Sequence, residues 1–144
     1  MSRRLERLQR YRALRERSLP RVSMRAFERL VREALSELPP YIQQRLENVA
    51  VLVEAWPAPE RLAGMGYEAD EDLLGLYEGV NRLQRGSGYH MVTPDRITLF
   101  WRPIVQEAAG GGRAALRREV RKTVIHELAH HFGMDDAELE RLGG

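Results

Sequence analysis

Apolar residues recur at helical spacing from Phe27 onward. After Ser23, a candidate N-cap, Phe27, Leu30, Val31, Ala34, Leu35 and Leu38 fall three or four apart, the signature of one buried helical stripe. Pro39-Pro40 ends it. A short helical stretch from Tyr41 to Asn48 follows, and then Val49, Val51 and Val53 alternate in a β-branched strand closed by Trp56-Pro57. From Pro57 to Asp72 the Pro, Gly and acidic residues predict a surface loop around Gly64 and Gly66. A second strand is expected over Leu73 to Gly79. Gly86-Ser87-Gly88 marks a loop and Thr93-Pro94-Asp95 a turn. Ile97, Leu99 and Trp101 then predict a third strand whose length Pro103 limits. The glycines Gly110 to Gly112 release the chain before its longest helix, from about Arg113 to Phe132, with Gly133 as a left-handed cap. A short helix to Leu142 is expected to complete the chain. This order predicts an α+β domain in which a three- to four-stranded sheet packs against two main helices.

Composition sets the limits of that picture. A chain of 144 residues with 43% hydrophobic and 31% charged residues suits one modest core. No run approaches the roughly 20 apolar residues that span a bilayer, and charge occupies the place of a signal peptide's apolar run, so a cytoplasmic protein without a membrane partner is expected. With no cysteine, a transition metal would have to be held by His and carboxylate. Residues 1–22 carry eight Arg against Glu6 and Glu16, which separates a basic N-terminal extension from a domain over 23–144. That arm lacks aromatic interleaving and reads as a solvated extension, with nucleic acid as the less favoured partner. The charge break also makes Met24 a candidate start of translation.

The chemistry is concentrated in His126-Glu127-Leu128-Ala129-His130-His131-Phe132-Gly133-Met134-Asp135-Asp136. Four positions along an α-helix advance by about 40° beyond a full turn, so the imidazoles of His126 and His130 share a face and can close on one ion. Glu127 lies about 100° further round, beside the pair, where it can act as a base toward a water activated by the metal. Val124, Ile125, Leu128, Ala129 and Phe132 form the opposite, apolar arc that suits packing on the sheet. His131 points away from the pair and is expected either to support the ligands from behind or to be structural. A catalytic zinc usually takes three protein ligands. Gly133 can turn the chain back beneath the ion, which makes Asp136 the best-placed third ligand and Asp135 its competitor. The bland alternative is a surface helix carrying two solvated histidines. Tyr77, Tyr89 and His90 are candidates for an oxyanion donor, and the strand from Arg96 to Trp101 is a candidate sheet edge for aligning a peptide.

With those residues in place, the chain resembles the small bacterial zincin-like metallopeptidases, the minimal zincins related to the metzincins. The resemblance rests on His126 to Asp136, which follows that family's H-E-x-x-H-x-x-G-x-x-D pattern. Leu73-Leu74-Gly75-Leu76-Tyr77-Glu78-Gly79 and Pro94-Asp95-Arg96-Ile97-Thr98-Leu99-Phe100 are also family-like, and the likeness runs from about Met24 to Leu142. It implies a reduced metzincin fold, one zinc per chain held by His126, His130 and Asp136, Glu127 as general base, and a peptide or protein substrate. Met134 precedes Asp136 and does not stand where metzincins place their methionine turn, after the third ligand.

Two other functions compete. One is a metal-dependent endoribonuclease of the small bacterial class that matures ribosomal RNA, in which the arm would hold phosphates. Those enzymes have Gly where this chain has Glu127 and a third His where it has Asp136. The other is a non-catalytic module that zinc merely braces.

Overall fold

The computed structural model describes residues 23–60, 73–79, 94–108 and 111–132, with isolated residues between 3 and 12 and at 137 and 141. Helix α1 is Met24–Ser36, and Ser23 caps it as expected: its Oγ accepts the Ala26 N–H at 3.1 Å. Prolines stop it and start the next helix, α2, Pro40–Leu46, since Pro at a first helical position gives up no intrahelical hydrogen bond. Gln43 closes the junction by donating from Nε2 to the carbonyls of Ser36 (3.1 Å) and Leu38 (2.7 Å).

Three strands follow: β1, Val49–Glu54; β2, Gly75–Glu78; and β3, Asp95–Phe100. Their order in the sheet is β1-β3-β2, with β1 parallel to β3 (Val51 beside Ile97) and β2 antiparallel to it (Tyr77 beside Ile97). The strand expected at the edge is therefore central. The composition of β3 accounts for this: Ile97, Thr98, Leu99 and Phe100 are all buried, so both of its faces are covered, as befits an interior strand. Among the described residues the edge that meets the longest helix is β2.

A second departure follows at once. Trp101 does not extend the strand but opens helix α3, Trp101–Glu107. Pro103 is the third residue of that helix, within the first turn, where backbone N–H groups have no intrahelical partner to lose. The Arg102 N–H instead donates to the Ala55 carbonyl at 3.0 Å, tying the start of α3 to the end of β1.

Gly112, with φ of +69°, opens helix α4, Gly112–Phe132, where the left-handed conformation suits glycine. One side of α4 supplies Val120, Val124, Ile125 and Leu128 to the core, which they share with Phe27, Leu30 and Val31 of α1 and with Ile97 and Leu99 of β3. The Phe132 side chain lies outside the described residues. A ladder of charges fastens α1 to α4 on the solvent side. Arg113 donates to Glu33 at 2.6 Å, Arg121 pairs with Glu37, and Arg117 Nε lies 3.0 Å from Glu37 Oε1 without hydrogen-bond geometry. Such exposed pairs contribute at most about 1 kcal/mol each, so the shared apolar core fixes how the two helices sit.

From the basic extension, Arg12 donates to the Pro57 carbonyl at 2.9 Å and covers the Trp56 ring at 4.9 Å. No described helix is long and apolar enough to cross a membrane.

Candidate metal centre

Burial sorts the second half of α4 by face. Ile125, Leu128 and Ala129 are buried, whereas His126 and His130 are exposed on the opposite side, one turn apart. Glu127 stands between these environments, half-buried against the sheet. Its Oε2 accepts the Tyr77 N–H of β2 at 3.1 Å. The ladder explains why that amide is available. The Leu74 carbonyl accepts the Phe100 N–H, so Leu74, Leu76 and Glu78 turn their amides toward β3, and Gly75 and Tyr77 turn theirs outward.

Burial raises the pKa of Glu127 above the usual carboxylate value. The Tyr77 N–H, then His130 and His126, act in the opposite direction by favouring the charged form. The carboxylate thus sits where its charge is costly and its proton affinity enhanced, next to two imidazoles.

Tyr77 also carries the junction on its side chain. Its hydroxyl donates to Asp95 Oδ2 at 2.8 Å, and its ring stacks on His131 with centroids 4.0 Å apart. His131 Nε2 lies 4.0 Å from the same Asp95 oxygen. His131 accordingly faces the sheet rather than the His126–His130 side, as its helical position implies. The Tyr77 hydroxyl is engaged by Asp95, away from the oxyanion role considered for it. Asp95 was not foreseen. Its signal was its place at the head of a strand whose antiparallel neighbour carries a tyrosine two residues short of the strand's glycine stop.

Close approach of β2 to α4 depends on Gly75. A Cβ there would come within 2.7 Å of Thr123 Cγ2 and 3.3 Å of the Thr98 carbonyl. We expect Gly75→Ala to destabilise the fold by about 1–3 kcal/mol through overpacking. Since β2 must shift away from α4 to relieve it, the bond from Tyr77 to Glu127 should lengthen as well. Thermal unfolding checks the first effect, and a structure of the variant the second; an unchanged melting temperature would show that the contact is not tight.

The donor set fits a zinc ion as far as it is described: two exposed imidazoles one turn apart, with a carboxylate beside them. Among the described residues no three His, Asp or Glu side chains converge on one point. Asp135 and Asp136, the candidates for a third ligand, lie outside the described residues, as do Gly133, Tyr89 and His90.

An α+β domain whose longest helix presents this pair of histidines and an intervening glutamate beside a sheet edge has the build of a zincin. A family model described as zincin-like metallopeptidase matches residues 46–144, and the chain belongs to that family. Membership places it at class level among zinc-dependent hydrolases. No curated protein matches the chain at a significant level. The matched region starts after α1, yet α1 contributes Phe27, Leu30, Val31 and Ala34 to the core that α4 completes, so it packs into the same core.

Proposed function

We propose that the protein hydrolyses peptide bonds with one zinc ion held by His126, His130 and Asp136 and with Glu127 as general base. The observation that carries this reading is the placement of Glu127. Beside two exposed imidazoles, it is fixed by an amide of the neighbouring edge strand. Zinc, when bound, polarises the scissile carbonyl and lowers the pKa of a coordinated water toward neutrality.

The protein's own groups do the rest. Glu127, whose burial enhances its proton affinity, accepts a proton from the attacking water and later delivers it to the leaving amine. The Tyr77 N–H holds one carboxylate oxygen and leaves the other for the proton. The outward carbonyls of Gly75 and Tyr77 on β2, rather than any group of β3, are the ones an extended substrate can pair with as an added strand. This moves the aligning edge one strand away from its position in the sequence reading, and directly beside the base.

The test combines metal analysis with cleavage of a peptide library before and after chelation. We expect about one zinc per chain and cleavage that chelation abolishes and zinc restores. His126→Ala, His130→Ala and Asp136→Asn should each strip the metal, whereas Asp135→Asn should keep it. Zinc bound without any turnover would replace the peptidase reading with that of a zinc-braced binding module.

A further inference from the structure

A cavity of ≈ 240 Å³ opens next to His126 and Glu127 and runs back along α4. Its floor is a single helical stripe. Glu119, Lys122, Thr123 and His126 are spaced by three, four and seven positions from the first, so the trough leads straight away from the proposed metal site on the face that bears the first histidine. Leu73, Leu74 and Gly75, entering and opening β2, form one wall, and Glu107, the last residue of α3, stands on another.

We propose that this cavity receives the side chain of a lysine or arginine adjacent to the scissile bond, which makes the protein a peptidase selective for basic residues. The proposal rests on the metallopeptidase reading above and adds the substrate class to it.

Size is the first argument. The volume falls below the roughly 300–1,000 Å³ of pockets that enclose whole small molecules, and suits one long side chain. The second is the lining. Leu73 and Leu74 offer apolar surface to a methylene stem.

Charge is the third and decides between occupants. Beyond Glu127 at the mouth, the described lining holds the two carboxylates of Glu107 and Glu119 against the single ammonium of Lys122. Lys122 Nζ lies 3.6 Å from Glu119 Oε1, and the Glu119 side chain is only 16% exposed. That pair is already matched, so the surplus charge is negative. An acidic side chain would meet that surplus and be repelled. An apolar one would cover the pair and strip its water with no compensating contact. A cationic head can approach Glu107 and share Glu119, gaining charge-assisted hydrogen bonds while its stem fills the apolar part.

The experiment is a cleavage profile of the zinc-loaded protein on a peptide library, followed by kcat/KM on matched peptides differing only in Lys or Glu at the selected position. Lys and Arg should be enriched at one position flanking the cut. Glu107→Gln should lower kcat/KM for the Lys peptide by about two- to fivefold, chiefly through KM, as expected for loss of an ion pair at an exposed carboxylate. Glu107→Lys combined with Glu119→Lys should raise cleavage of the Glu peptide above the parent's, a gain that a misfolded variant cannot give. Cleavage with no basic preference, or a preference unmoved by these substitutions, overturns the assignment of the cavity and leaves the peptidase reading standing. If no peptide is cut by the zinc-loaded protein, both fall together.

Discussion

Glu127→Gln is expected to leave zinc in place while peptide hydrolysis falls by about 10²–10⁴-fold, the usual contribution of a positioned general base. Gln preserves the shape and can still accept the Tyr77 N–H through its amide oxygen, so the 3.1 Å link between α4 and β2 survives. What it lacks is a site that takes up a proton. His126 and His130 keep their positions, since their backbone is fixed by Ile125, Leu128 and Ala129 on the buried side of the helix. The effect on stability runs the other way. A carboxyl group whose folded pKa is raised by burial contributes stability at pH below its unfolded value, and that contribution is lost as pH rises through the folded pKa. The metal-free parent loses that contribution as pH rises, while the neutral amide carries no such loss. The metal-free variant should melt no lower than the parent. Metal analysis, kcat/KM on one cleaved peptide and a melting curve check the three parts, and full activity in the variant would remove Glu127 from the role of base.

The helix that carries the histidines was readable in the sequence because every local signal agreed. Gly112 released the chain, the apolar positions followed one stripe, and His126 and His130 fell opposite Ile125, Leu128 and Ala129. Helix α1 was readable for the same reason, from the Ser23 cap to the Pro39 stop. The order of strands was not, because a local pattern records how far each face is buried and not which neighbour buries it. The unbroken burial of Ile97 to Phe100 belongs to an interior strand, whereas an edge strand shows the partial burial of Leu76 to Glu78. Helix α3 is hidden by Pro103, because proline can end a strand and is equally at home in the first turn of a helix. The bond from Tyr77 to Glu127 spans 50 residues and joins a backbone amide to a side chain, and nothing in the local sequence marks such a contact.

Leu128→Ala should be the most damaging single substitution near the site that touches no chemistry. Leu128 is fully buried, one residue past Glu127 and midway between His126 and His130, and it shares the core with Val124, Ile125 and Ile97. Truncation removes its transfer free energy and leaves a cavity directly beneath the metal-binding turn, a loss of about 2–5 kcal/mol. Against a typical total of about 5–15 kcal/mol, the metal-free variant would lie close to its unfolding threshold. Zinc changes that balance if the site is the one proposed, because an ion that binds only the folded chain adds about 2.7 kcal/mol at a concentration of 100 times its dissociation constant. The melting temperature of Leu128→Ala should accordingly rise with free zinc and recover much of the loss. The same titration on Leu128→Ala combined with His126→Ala should produce no rise. Equal responses in the two proteins would mean that the stabilising ion binds somewhere other than the face of α4 on which His126 and His130 lie. In that event the cavity beneath Leu128 would report on core packing alone.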